Sequence, residues 1–203
     1  MSKRDPFLES LRSLPTFVAR QRACDAKFPR LKAGTGRIVY DYDGAFVLKL
    51  AKNKKGIAQN GVEAQGCLQS FYAGTILARV PDSCSEDTWL FMEKALRAKP
   101  RDFVAAFGCP FPMFQEYLRY SCEVRYTTNW HYSDIARQTL DEHELMQELT
   151  SMIMDYDLCY GDFQRVNSWG KVQDKLVVID YGCNREVFEE FYERKPARQR
   201  IWS

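Results

Sequence analysis

The sequence predicts an α+β fold in two lobes, with a small antiparallel sheet leading and a mainly helical part following. Three observations carry that reading. Residues 38–51 look like two strands joined by a tight turn. Residues 139–157 carry a helical apolar stripe. The strand-like run between them, 88–96, is preceded by Pro81 and followed by Pro100, Pro110 and Pro112. A crossover between lobes is therefore expected after Met92, dividing the chain into 1–92 and 93–203. The length of 203 residues suits one domain or one two-lobed domain, and 45% apolar with 28% charged residues is an ordinary globular balance. A chain this long buries roughly 70% of its unfolded surface, enough for a core without cross-links.

Residues 7–28 read as one or two short helices around Pro15, with Arg12, Arg20 and Arg22 expected on a solvated face. Ile38, Val39 and Tyr40 are strand formers, Tyr42-Asp43-Gly44 signals a turn, and 45–51 (AFVLKLA) is a second strand. Gly34-Thr35-Gly36 then caps a hairpin-like sheet edge. Its glycines let backbone approach a ligand closely, although a Gly-x-Gly by itself is more often a plain turn. Lys49 interrupts the apolar run and shares a face with Val47 and Ala51. A lysine there either snorkels to water from an edge strand or needs a partner charge. Residues 53–74 begin as a polar loop and end as a helix, with Val62, Leu68 and Phe71 on its apolar side. Glu63 falls near the expected helix start, where the macrodipole favours an acid.

The run 88–96 (TWLFMEKAL) is a buried strand ending near Glu93, and 113–120 is a short helix. Residues 121–138 fit no single pattern; Tyr126, Trp130 and Tyr132 either pack the helical lobe or form an acceptor or dimer surface. In 139–157, Thr139 and Glu142 make a capping box, and Leu145, Leu149, Met152, Ile153 and Tyr156 form the core stripe. His143 is expected to face solvent. Leu176 to Ile179 is a buried strand. A last helix and a basic tail, with Arg194, Lys195, Arg198 and Arg200, follow Gly182.

A net charge of +2 gives no overall basic field for nucleic acid. Seven cysteines without a C-x-x-C pair, and only two histidines, argue against zinc. The odd cysteine count and a start without an apolar signal core predict a reducing, cytoplasmic setting. No stretch approaches the roughly 20 apolar residues of a membrane span.

Phosphoryl transfer from a nucleotide needs a cation on the phosphates, oxygen ligands for magnesium and a group that orients the acceptor hydroxyl. The chain offers, in order, a Gly-x-Gly turn, a strand lysine, a helical glutamate, an Asp-x-x-x-x-Asn loop and an Asp-aromatic-Gly turn. In that order it resembles the protein-kinase-like superfamily. VLKL (47–50) resembles that family's V-A-I-K strand, and DYG (180–182) its D-F-G. GDFQRVN (161–167) is similar to its catalytic loop, nearest the H-G-D-x-x-x-x-N form of aminoglycoside phosphotransferases and related small-molecule or sugar kinases. The matched core runs over roughly residues 30–185.

The resemblance implies an α+β, protein-kinase-like two-lobe fold with a truncated, mainly helical second lobe. It implies a phosphotransferase dependent on ATP and Mg2+. Lys49 would contact the ATP phosphates and Glu63 would pair with it. Asp162 would accept or orient the acceptor proton, and Asn167 and Asp180 would hold magnesium. Gly34, Thr35 and Gly36 would cover the phosphates, Glu93 to Ala95 would form the hinge that reads adenine, and Gly182 would let the chain turn sharply away from the metal. Departures are visible too. Tyr160 stands where kinases usually have His, and Gln164 where Ser/Thr kinases have Lys. A-P-E is absent, and 21 residues follow Gly182, which leaves no room for a long activation segment. Such compactness is similar to kinase-like proteins of some bacteriophages and bacteria. The acceptor, protein or small molecule, stays open, as does the oligomeric state. So does the choice between an active kinase, a pseudokinase acting as a binding or regulatory module, and an unrelated α+β domain.

Overall fold

The computed structural model describes residues 5–122 and 129–193. Five antiparallel strands form the leading sheet in the order β1-β2-β3-β5-β4. They are β1 Arg30–Ala33, β2 Arg37–Asp41, β3 Phe46–Ala51, β4 Asp82–Ser83 and β5 Trp89–Glu93. The turn between β2 and β3 forms as the sequence predicts: Asp43 accepts from the Ala45 and Phe46 amides, and Gly44 takes φ +84°. Pairing places Lys49 of β3 between Val39 and Leu90, in the middle of the sheet.

Strand alternation gives this sheet two apolar faces. One is covered by α1 (Pro6–Ser13) and α2 (Phe17–Asp25), whose starts are capped by Asp5 and Thr16. Leu8, Leu11, Cys24 and Phe28 pack there on Ile38, Tyr40, Leu48, Leu50 and Trp89. The basic residues of this segment are not simply solvated. Arg20 is buried, and Arg12 donates to Asp82 at 3.0 Å while lying 5.1 Å over the Trp89 ring. A guanidinium can stack on an aromatic face and still satisfy its donors, so burial of its stem is favourable.

The segment 53–74 makes two helices, α3 (Lys54–Glu63) and α4 (Gly66–Tyr72). Asn53 caps α3 by accepting from the Gly56 amide at 3.1 Å, so the helix starts where a loop was expected and Glu63 ends it. The break after Glu63 turns α4 so that Leu68 is buried while Phe71 is 73% exposed, against its expected place on the apolar side.

The later part is mainly helical: α5 Pro100–Phe107, α6 Phe111–Cys122, α7 Asp134–Asp141, α8 Glu144–Asp155, α9 Tyr160–Phe163 and α10 Arg185–Phe191. A small sheet, in the order β6-β7-β8, threads through it, with β6 Leu96–Arg97, β7 Trp169–Val172 and β8 Lys175–Val178. Trp169 is enclosed by Phe103, Phe107, Phe114 and Phe163, with ring centroids 5.3 to 6.5 Å away. Leu149, Met152 and Ile153 are core as predicted, but the single helix expected over 139–157 is two. Thr139 lies inside α7 and donates to Ile135 O, so it makes no capping box with Glu142. His143 is half-buried, 6.0 Å from Phe107, instead of facing solvent. Trp130 packs on Tyr117, Tyr120 and Tyr132. Tyr126 and the basic residues from Arg194 onward lie outside the described residues.

The main core joins both parts. Val47, Leu90 and Met92 of the leading sheet share one apolar cluster with Leu68, Leu77, Leu118, Phe163 and Val178. Backbone bonds stitch the join: Ala78 donates to Val178 O at 3.0 Å, and Val178 to Ile76 O at 2.7 Å. Among the described residues, no helix is long and apolar enough to cross a membrane.

Candidate active site

Because β3 is paired on both sides, Lys49 has no edge from which to reach water. It is 5% exposed and needs an internal partner. Glu63 supplies it: Lys49 Nζ lies 2.6 Å from Glu63 Oε2 and also donates to Ile179 O at 2.6 Å. Burial lowers the lysine pKa below its ordinary value, with Glu63 opposing. Glu63 has no exposed surface and sits at the end of α3, where the helix dipole disfavours an acid. Two cations and a backbone donor compensate. Arg37 Nη1 lies 2.9 Å from Oε1, and the Tyr181 amide donates to the same oxygen at 3.2 Å. One carboxylate thereby ties β2, β3 and the Asp180-Tyr181-Gly182 segment together.

Arg37 is the site residue that the sequence reading missed. It opens β2 directly after Gly36 and is 8% exposed. Its Nη2 donates to Asp180 Oδ1 at 2.7 Å, and its Nη1 reaches Asn60 Oδ1 at 3.5 Å. A signal existed: the β2–β3 register puts Arg37 and Val39 on the face of Lys49, so two cations share a buried face and require two anions. Glu63 and Asp180 are those anions.

Asp180 follows β8 and keeps 43% of its side chain exposed. Besides the Arg37 bond at Oδ1, its Oδ2 lies 4.0 Å from Lys32. Burial pushes its pKa upward, but Arg37, Lys49 and Lys32 outweigh that and hold it below the usual carboxylate range. Asp162, in α9, behaves oppositely. Burial, reinforced by the charge of Asp180, pushes its pKa up to about 6, against the pull of Arg165 at 3.4 Å. Asn167 sits in a short 3-10 turn over Val166–Ser168, where its Oδ1 accepts from Arg97 at 2.7 Å.

These groups surround a cavity of about 450 Å³ between the leading sheet and the helical part. Gly34, Thr35 and Gly36 line it, as do Arg37, Lys49, Asn167 and Asp180. Glu93, Lys94 and Ala95 line it where β5 ends, and Val39, Val47, Met92 and Ile179 give it apolar walls. Glu63 stands behind Lys49, and neither it nor Asp162 lines the cavity. The glycine loop is fastened to the start of α3. Lys52 donates to Gly34 O at 3.0 Å, Asn53 to Thr35 O at 3.0 Å and Lys55 to the Thr35 hydroxyl at 3.1 Å. Gly182 does not take a left-handed conformation, so no turn there depends on a backbone angle that only glycine adopts readily. It is needed for close approach instead: a Cβ there would fall 2.6 Å from Gln59 O.

Asn167 and Asp180, the expected magnesium ligands, are each engaged by an arginine in this structure. The side-chain oxygen of one is engaged by Arg97 and Oδ1 of the other by Arg37. Among the described residues, no group of three His, Cys, Asp or Glu side chains is placed to hold a metal ion.

A lysine–glutamate pair beside a cleft between an antiparallel sheet and a helical part is the arrangement that the sequence resemblance leads one to expect. Among solved structures the chain is similar to the aminoglycoside phosphotransferase APH(2'')-IIa, in a ternary complex with streptomycin and ATP. That likeness has a TM-score of 0.41 and 14% identity, over 84% of this chain and 71% of that one. No protein-family model and no curated protein matches the sequence.

Proposed function

We propose that the chain is a kinase-like phosphotransferase that binds ATP in the cleft and passes its γ-phosphate to a hydroxyl, on a protein or a small molecule. The observation that carries this is the Lys49–Glu63 pair at 2.6 Å, a fully internal ion pair whose lysine lines the cavity. Burying two charges is costly, and a purely structural role would be served as well by apolar residues. Lys49 positions the phosphates, and Glu63 fixes Lys49. Val39, Val47, Met92 and Ile179 receive the base, and the backbone from Glu93 to Ala95 offers it hydrogen bonds. Asp162, with its pKa pushed up to about 6, is ionised at neutral pH yet basic enough to orient or take the acceptor proton.

The test is phosphate transfer from ATP by the purified chain, with Asp162→Ala expected to lower the rate by about 10²–10⁴-fold. Absence of both ATP binding and transfer in the wild type would overturn the reading. A second reading, a pseudokinase that binds nucleotide or a partner without turnover, is favoured by the two arginines on Asp180 and Asn167. ATP binding with no transfer to any hydroxyl acceptor, and a partner still held by Lys49→Ala, would select it.

A further inference from the structure

The charged groups at the inner end of the cleft balance without an added ion. Arg37 and Lys49 face Glu63 and Asp180, each cation touching a carboxylate at 2.9 Å or closer. Arg37 is not a surface residue that has drifted onto a metal ligand. Its side chain is 9% exposed, and it is fixed at one end to Glu63 and at the other to Asp180. It also lines the cavity, beside Lys32 and directly after the glycine loop. A planar guanidinium has five donors in a fork suited to phosphate oxygens. A divalent ion on Asp180 would have to displace this guanidinium or sit against it, and displacement would leave Glu63 with Lys49 as its remaining cation.

We propose that Arg37 is a resident cation standing in for a divalent ion at Asp180. With Lys32 it binds the phosphates of the nucleotide directly, so that nucleotide enters the cleft without magnesium. This rests on the nucleotide-binding reading above. The experiment is calorimetric titration of ATP into the full chain, once in EDTA and once in magnesium. The expected result is two dissociation constants within about threefold of one another. Arg37→Gln is expected to weaken ATP binding in EDTA by tenfold or more, with magnesium restoring part of it. Should that variant not fold, Asp180→Asn carries the same test at a residue whose side chain is 43% exposed. It frees Arg37 from its anion, so ATP binding in EDTA should be kept or tightened.

A wild type that binds ATP in magnesium but not in EDTA overturns the resident-cation proposal and leaves the functional reading intact. So does a folded Arg37→Gln that binds in EDTA like the wild type, or an Asp180→Asn that has lost binding in EDTA. A wild type that binds ATP in neither buffer overturns both.

Discussion

Glu63 and Asp162 are two buried or half-buried acids with opposite needs. Glu63 is the shared anion of Lys49 and Arg37, so Glu63→Gln keeps the shape, strips Lys49 of its paired carboxylate and leaves Arg37 with Asp180 alone. Removing one member of a buried pair costs about 3–5 kcal/mol, so the urea midpoint is expected to fall by that loss divided by the slope, with the slope itself unchanged. Asp162 is held in a place that disfavours its charge. Its pKa of about 6 in the folded chain exceeds the unfolded value of about 4, so the folded state binds the proton more readily in that window. Stability is therefore greatest below about pH 4 as far as this group is concerned, and is lost as pH rises through about 6. Asp162→Asn should raise stability at neutral pH by about 1–3 kcal/mol, at the expense of the proposed transfer, and should leave it unchanged near pH 4. Equal melting temperatures for variant and wild type at neutral pH would contradict this. Lys49, Glu63, Asp162 and Asp180 could be picked out in the sequence because their order along the chain carries them. Arg37 was harder to read, because its signal needs the β2–β3 register and its anion, Asp180, lies 143 residues away.

At the scale of elements, α3 and the glycine loop behave as one piece. Gly36 and Gly56 touch so closely that a Cβ on Gly56 would fall 2.1 Å from Gly36 O. Gly56→Ala must push the loop off the helix. A loss of about 1–3 kcal/mol and weakened ATP binding are expected, read by thermal melting and titration. Gly66→Ala is the contrast, since nothing lies within 4 Å of its Cβ and it sits in α4; there a gain of up to about 1 kcal/mol is expected. The strands could be read in advance because alternation and the Asp43-Gly44 turn are local signals. The breaks between helices could not. No glycine or proline announces the break between α7 and α8. It arises because Leu140 and Met146 are both buried, and six residues apart on one continuous helix they would face different directions. The core decides that break, not the local sequence.

For the molecule as a whole, the main core passes from the leading sheet into the helices, whereas α1 and α2 cover the sheet alone. The two parts should therefore unfold together. Leu77, with no exposed surface, bridges Ala73 and Val178 at the join. Leu77→Ala is expected to cost about 2–5 kcal/mol and to move the circular-dichroism and fluorescence transitions by the same amount. Separation of the two curves would show that the parts are independent. The same core has a consequence for observing the molecule at work. The Trp169 indole donates at 2.8 Å to the carbonyl of Phe163, the residue directly after Asp162. An indole's emission colour responds to the field along that bond. The part of the emission of the four tryptophans that Trp169→Phe removes is thus an optical probe, within the unlabelled protein, of the loop that would handle the acceptor.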